Sequence, residues 1–129
     1  MRLLLDTHAL LWWVFTDRRL SLRARTAIAD DVENEVFVSA ASAWEITAKY
    51  RIGKLRDAQV VAEDVPHTIS AEGFVPLSIT IQHAQRAGSL VGRHRDPFDR
   101  MLIAQALLED LALVSNEKAF DAYGVRRLW

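Results

Sequence analysis

The chain contains no cysteine, only three prolines, and no long uninterrupted apolar run. The absence of cysteine excludes disulfides, thiolate zinc sites and a cysteine nucleophile. The apolar segments Leu3–Leu5 and Ala9–Phe15 are separated by Asp6 and His8. Neither segment approaches the roughly 18 apolar residues of a membrane span, and no small-residue cleavage site follows them. We therefore expect a soluble, cytoplasmic protein that does not associate with membranes and keeps its N-terminus.

The composition is that of a globular protein, because 50% of the 129 residues are hydrophobic and 26% are charged. We find no repeat, low-complexity tract or linker, and expect a single domain over residues 1–129. Five segments are short and apolar and lack polar alternation, as expected of strands buried on both faces. They are Arg2–Leu5, Glu35–Val38, Gly73–Leu77, Ala112–Val114 and, with a weaker pattern, Val125–Arg127.

Helical patterns lie between these strands. Ser21, Thr80 and either Ser39 or Ser42 are positioned to cap three of them, and a fourth runs from Pro97 to Glu109. Alternating strands and helices predict an α/β fold, a three-layer α/β/α sandwich around a mostly parallel sheet of four to five strands.

Single acidic residues stand near the ends of these elements, at Asp6, Glu45, Asp99 and Glu117. In a parallel sheet the ligand crevice lies beyond the carboxyl ends of the strands, where Asp6 and Glu117 fall. Carboxylates that converge need a cation, and a divalent metal site is the simplest interpretation. The remaining 13 of the 17 acidic residues then face 16 Lys and Arg, which leaves a polyanionic substrate open.

Each acid also has a structural interpretation. Asp6 could cap a helix over His8–Phe15, and a capping carboxylate still has lone pairs for a metal. Glu45 could form a capping box with Ser42, three residues earlier. Asp96 precedes Pro97 and is expected to cap the last helix, which leaves Asp99 as the favoured ligand and Asp96 as a cap or an outer-sphere group.

The arginines Arg93, Arg95 and Arg100 surround Asp96 and Asp99, and they either hold the phosphates of a polyanionic substrate, which would be RNA if the chain is a ribonuclease of the kind that the resemblance below implies, or are simply solvated. The four histidines show no zinc spacing, and we assign none of them as a catalytic base. The segment Ala9–Phe15 is apolar on nearly all sides, so Trp12 and Trp13 lie either in the core or on a partner surface. We expect Trp44 and Trp129 in the core.

Several segments, in the right order and over nearly the whole chain, resemble the PIN-domain family, especially VapC-type toxins of bacterial toxin–antitoxin pairs. They are LDTHALLW (residues 5–12), SAWEI (42–46), DPFDRMLIAQA (96–106), LVSNE (113–117) and FDAYGV (120–125).

The resemblance implies a metal-dependent endoribonuclease in which Asp6, Glu45 and Asp99 hold Mg²⁺ or Mn²⁺. Where many members have a fourth Asp, this chain has Glu117, which is one methylene longer. Ser115 matches a small hydroxyl residue of the family, an expected hydrogen-bond partner of an acid or a water. The resemblance also implies an RNA substrate, a cognate antitoxin and a homodimer.

The sequence leaves two other functions to consider. An Asp after a first parallel strand also marks phosphatases of the HAD type, but these carry a second Asp two residues later, where this chain has His8. The second alternative is a PIN-like module that binds RNA or protein without catalysis, with Glu117 as the sign of a lost site.

Overall fold

The computed structural model describes all 129 residues and contains one sheet of five strands. The strands are β1 (Arg2–Leu5), β2 (Glu35–Ser39), β3 (Val75–Leu77), β4 (Ala112–Val114) and β5 (Arg127–Leu128). All four pairings are parallel and the spatial order is β3-β2-β1-β4-β5. The predicted parallel sheet is confirmed; the third strand starts two residues later than predicted, and the fifth is Arg127–Leu128 rather than Val125–Arg127.

Seven α-helices and two 3₁₀ turns connect the strands. The helices are α1 (Thr7–Val14), α2 (Leu22–Ala29), α3 (Ala40–Arg51), α4 (Gln59–Glu63), α5 (Val65–Ala71), α6 (Ile81–Ser89) and α7 (Pro97–Leu108). The 3₁₀ turns are Arg56–Ala58 and Lys118–Tyr123. Helices α4 and α5 lie in a stretch for which the sequence predicted no element, because both are too short to show a helical period.

The predicted helix caps are mostly present. The side chains of Ser21 and Thr80 accept hydrogen bonds from the first turns of α2 and α6. Ser39, rather than Ser42, caps α3 through the Ala41 N–H. Because α3 therefore begins at Ala40, Glu45 lies in its second turn, and the capping box with Ser42 is wrong.

Alternate residues of the central strand face opposite layers of helices. Leu3 and Leu5 pack in a core cluster with α1, α2, α4 and α5. Leu4 packs in a second cluster with Leu102 and Ile103 of α7. The sheet is thus covered on both faces, which confirms the three-layer α/β/α sandwich.

Two tryptophans differ in their environment although both were expected in the core. Trp44 is 63% exposed, so that expectation is wrong for it. It lies on the outer side of α3, where its indole contacts only one neighbouring aromatic ring, that of Phe98. Trp129 is half-buried against the first core cluster, where its ring meets that of Trp12.

None of the helices has the length and apolarity needed to cross a membrane.

Helix α7 offers a matched test of the second core cluster. Ile103 is fully buried, whereas Leu108 on the same helix is 43% exposed. We expect Ile103→Ala to lower the free energy of unfolding by about 2–4 kcal/mol, because it leaves a cavity under the sheet. Leu108→Ala should cost less than about 1 kcal/mol. Urea denaturation measures both, and equal losses would contradict the assignment of Ile103 to the core.

Candidate active site

The acidic residues meet at the carboxyl edge of the sheet, where the strand order reverses between β1 and β4. A cleft of about 100 Å³ lies there, which we call the acidic cleft. Its lining residues are Asp6, Thr7, His8, Glu45, Lys49, Asp96, Asp99, Asn116, Glu117 and Phe120. A larger hollow of about 490 Å³ opens at the opposite edge, around the starts of β1 and β2, so the carboxylates rather than the volume mark the site.

Asp6 enters the cleft because β1 ends immediately before it. Its backbone N–H continues the β1–β4 ladder by donating to the Val114 carbonyl, at 3.1 Å. Its Oδ1 accepts from the Ala9 N–H at 2.7 Å and so caps α1, as the structural interpretation predicted. Burial raises the pKa of Asp6, while hydrogen bonds from Ser115 and Ala9 lower it. The capping carboxylate is therefore also a buried, partly compensated charge in the cleft.

Ser115 is fully buried and directly follows β4. Its Oγ accepts a hydrogen bond from the Glu117 N–H at 3.0 Å. Its hydroxyl also lowers the pKa of the Asp6 carboxyl, which places the residue after β4 beside the residue after β1. Glu117 lines the cleft from an exposed position. The catalytic role of Glu117, and the outer-sphere role of Ser115, stay predictions.

Glu45 is buried and both of its carboxylate oxygens have donors. Thr7 Oγ1 lies 2.6 Å from Glu45 Oε1, and Lys49 Nζ forms a very short ion pair with Glu45 Oε2. Thr7 Oγ1 also lies 3.1 Å from the Ser42 hydroxyl, which joins α1 to α3. The sequence analysis did not select Thr7 or Lys49. The available signal for Lys49 was its position four residues after Glu45, where a helix brings opposite charges together.

Asp99 lies in the first turn of α7, behind the cap formed by Asp96. Asp96 Oδ1 accepts from the N–H groups of Phe98 and Asp99, as predicted. The Asp99 Oδ2 atom lies 2.7 Å from His94 Nε2. Burial raises the pKa of Asp99 to about 6, aided by the charge of Asp96 and opposed by the hydrogen bond with His94. His94 is thus a partner of a cleft acid that sequence reasoning did not assign.

Arg100 has structural contacts that the sequence did not predict, and its contact with RNA phosphate stays a prediction. Its Nε donates to the Ala87 carbonyl and its Nη1 to the His94 carbonyl, both at 3.0 Å. Its Nη2 donates to the Leu90 carbonyl. Because all three guanidinium nitrogens are engaged, Arg100 holds the loop that presents His94. Arg93 and Arg95 are exposed on that loop, and their contacts with RNA stay predictions.

The residues of the cleft fit a hard divalent cation by their chemistry, since Asp6, Glu45 and Asp99 offer carboxylate oxygens. As they stand, no three His, Asp or Glu side chains are close enough together to form a metal-ligand set. The hydrogen bonds explain this, because Lys49 and Thr7 occupy Glu45 and His94 occupies one oxygen of Asp99. Mg²⁺ commonly keeps several waters and uses only one or two carboxylates, so these acids are the residues that would hold it.

The loop before α7 provides a test of the Arg100 assignment. We expect Arg100→Lys to lower the free energy of unfolding by about 1–3 kcal/mol, because an ammonium does not reproduce the fork that satisfies three separate carbonyls. Arg95→Lys, on the exposed part of the loop, should change it by less than about 0.5 kcal/mol. Urea denaturation compares the two variants. An unaffected Arg100→Lys protein would contradict the structural role of Arg100.

Asp99 predicts a pH-dependent stability in protein kept free of metal with EDTA. The pKa of Asp99 is higher in the folded than in the unfolded chain, so the folded chain binds the proton more tightly. The free energy of unfolding therefore falls as pH rises from about 4 through about 6. Asp99→Asn removes this loss. Relative to wild type, its free energy of unfolding should increase by about 1 kcal/mol more at pH 7.5 than at pH 5. Asp31→Asn, at an exposed position, serves as the control, and a gain independent of pH would contradict the assignment.

Comparison with known proteins places the whole arrangement in a family. The family model described as "PIN domain" matches residues 3–125. Ribonuclease VapC16 of Mycobacterium tuberculosis is 46% identical over 57 residues, which are 44% of this chain and 40% of that protein. The chain thus spans about two-fifths of the length of the curated relative that it matches.

Solved structures share the fold over nearly the full length. VapBC2 from Rickettsia felis, bound to a DNA fragment from its promoter, has a TM-score of 0.71 at 15% identity and covers 98% of this chain, with 97% of its own covered. FitAcB from Neisseria gonorrhoeae has a TM-score of 0.65 at 16% identity, with 97% and 95% covered. A toxin–antitoxin complex from Klebsiella pneumoniae has a TM-score of 0.62 at 21% identity, with 91% and 88% covered.

The match over residues 3–125 decides against the HAD-type alternative. This match agrees with the resemblance seen in the sequence, with the order of the strands and with the acids at the carboxyl edge of the sheet. The chain belongs to the PIN-domain family.

Proposed function

We propose that this chain is a metal-dependent endoribonuclease that acts as the toxin of a toxin–antitoxin pair. The observation that carries the proposal is the meeting of Asp6, Glu45 and Asp99 in one cleft, although they come from β1, α3 and α7. PIN-domain ribonucleases generally use divalent metals. In this chain we assign Asp6, Glu45 and Asp99 as the residues that hold Mg²⁺ or Mn²⁺.

The chemistry follows from the charge of the cleft. A bound divalent cation would polarise a water and offset the charge on the phosphoryl oxygens of RNA. In the proposed reaction the carboxylates of Asp6, Glu45 and Asp99 would hold the cation and orient a water in line with the departing sugar oxygen. The new P–O bond to that water would replace the P–O bond to the sugar oxygen; a cleft carboxylate would accept the proton of the water, and the departing oxygen would take a proton from solvent. Thr7 keeps Glu45 in place by a hydrogen bond, and the Ala9 N–H does the same for Asp6.

Other residues supply the remaining parts of the proposal. Arg93 and Arg95 extend from the loop beside the cleft and are suited to bind phosphates. Half-buried Trp12 and Trp13 on α1 are suited to contact a second copy of the chain or an antitoxin. One structural neighbour is a toxin–antitoxin complex from Klebsiella pneumoniae, which supports an antitoxin partner. A cytoplasmic location is part of the same proposal.

The alternative of a non-catalytic module is favoured by one observation. Glu45 has both oxygens engaged by protein donors, and no three acidic or histidine side chains form a metal-ligand set as they stand. Under this alternative the cleft would bind RNA or protein without cutting RNA, and metal would bind weakly or not at all. The two functions therefore differ in metal binding as well as in cleavage.

Cleavage of total RNA by purified protein, with Mn²⁺, Mg²⁺ or EDTA, tests the proposed activity. We expect cleavage with either metal, none with EDTA, and a loss of at least about a hundredfold in Asp6→Asn. Asparagine still caps α1, so the variant should fold, which circular dichroism checks. Asp31→Asn, purified in parallel, should cleave at the wild-type rate. Equal metal-dependent cleavage by Asp6→Asn and wild type, in preparations free of contaminating nuclease, would refute the role of the cleft.

A further inference from the structure

Lys49 is a cation inside the acidic cleft whose function the proposed reaction does not explain. It lies one helical turn after Glu45 on α3, and its ammonium forms the ion pair with Glu45 Oε2. Its side chain is 30% exposed, so the charge is partly removed from water. The ammonium also lies 6.0 Å from the centre of the Phe98 ring. Lys49 is therefore held from two sides, by a carboxylate and by an aromatic face.

The charge balance of the cleft gives this lysine its importance. The ammonium pairs with Glu45, and the carboxylates of Asp96 and Asp99 line the same cleft. Glu45 and Asp99 are also two of the three acids assigned to hold the divalent cation. One resident cation thus compensates acids that would otherwise repel one another.

We propose that Lys49 is the internal counter-ion of the cleft and competes with the divalent metal for Glu45. This inference rests on the proposed metal-dependent function. The ammonium hydrogen-bonds to Glu45 Oε2 while the Thr7 hydroxyl hydrogen-bonds to Oε1. An oxygen that already accepts a charge-assisted hydrogen bond is a poor metal ligand until that donor leaves. Lys49 is thus a positioning residue that must leave Oε2 before Glu45 binds a metal through that atom.

Competition has a thermodynamic consequence that is independent of RNA cleavage. If binding of the metal displaces Lys49 from Glu45, removal of the ammonium must tighten metal binding, because the two equilibria are linked. The metal-free protein should become less stable at the same time, because the substitution leaves a buried carboxylate without its cation. Added metal should then raise the melting temperature more in the variant than in wild type.

Calorimetric titration with Mn²⁺ at pH 7.5 tests the affinity. Lys49→Met should bind Mn²⁺ about tenfold more tightly than wild type, within the usual range of site coupling. Lys49→Arg retains the charge and should stay within about threefold of wild type. Lys54→Met removes an exposed charge that follows α3 closely in the sequence and should change the affinity by less than about twofold. Unchanged or weaker binding by Lys49→Met would overturn the proposal.

A double-mutant cycle separates competition at Glu45 from a general field effect. In the Glu45→Gln background, Lys49→Met should change the Mn²⁺ affinity by less than about twofold, because the carboxylate for which Lys49 and the metal compete is no longer present. Tightening of equal size in both backgrounds would show that Lys49 acts only through its field. If Glu45→Gln binds too weakly to measure, the direct spectroscopic test decides.

That test observes the lysine side chain by NMR, and it is simplified because the chain has only three lysines, Lys49, Lys54 and Lys118. Titration of wild type with Mg²⁺ should shift the Nζ and Cε signals of Lys49, with the same midpoint as calorimetry, and leave those of Lys54 unchanged. A Lys49 signal that stays constant while calorimetry records binding would overturn the proposal.

Failure of this inference differs from failure of the proposed function. Active nuclease with an unchanged Mn²⁺ affinity in Lys49→Met contradicts the competition alone. Protein that shows the competition but does not cut RNA contradicts only the nuclease assignment. Mn²⁺ binding by Lys49→Met with none by wild type is the extreme form of competition and supports the proposal, whereas no binding by either protein contradicts both.

Discussion

Strand β1 is hydrogen-bonded to β2 on one side and to β4 on the other, and this double pairing decides where the acidic cleft forms. Its register aligns Leu5 with Val38 and with Val114, so the three strands end at one level. The chain leaves β1 at Asp6 and leaves β4 at Ser115. Because the next element after β2 is α3, the same edge also receives Glu45 on its second turn. The cleft is thus a consequence of strand register rather than of a local motif.

Carboxylates buried at such an edge impose an electrostatic cost, and the surrounding donors reduce it. The pKa values of Asp6 and Asp99 are raised by burial, which shows that these hydrogen bonds do not fully replace water. Lys49 adds the one ammonium that reaches the acids from within the cleft. The same features that destabilise the metal-free cleft favour any cation that enters it. Stability and ligand affinity are therefore coupled through the same few carboxylates.

The sequence predicted the parts of the fold that depend on local patterns, and these were the buried strands, the caps at Ser21, Thr80 and Asp96, and the long helix α7. It failed where the outcome depends on three-dimensional packing. The surroundings of Trp44 are one case, because helical spacing alone does not reveal which side of α3 faces the sheet. Arg100 is another, because two of its carbonyl partners, Leu90 and His94, lie in a loop whose path no local pattern specifies. The ion pair of Lys49 could have been predicted, because the sequence shows Lys49 four residues after Glu45 in a predicted helix.

The capping and metal-binding interpretations of Asp6 are compatible, as the sequence analysis expected. A helix cap needs one carboxylate oxygen, and Oδ1 provides it to the Ala9 N–H. The cap fixes the direction of the carboxylate, and the first turn of α1 places partial positive charge beside it. Capping therefore orients the group that the cleft uses. Asp96 differs, because its Oδ1 serves two N–H groups of α7 while Asp99, one turn further on, carries the pKa raised to about 6. Asp96 is engaged as the cap at the start of α7, whereas Asp99 is not, and this difference separates the two acids.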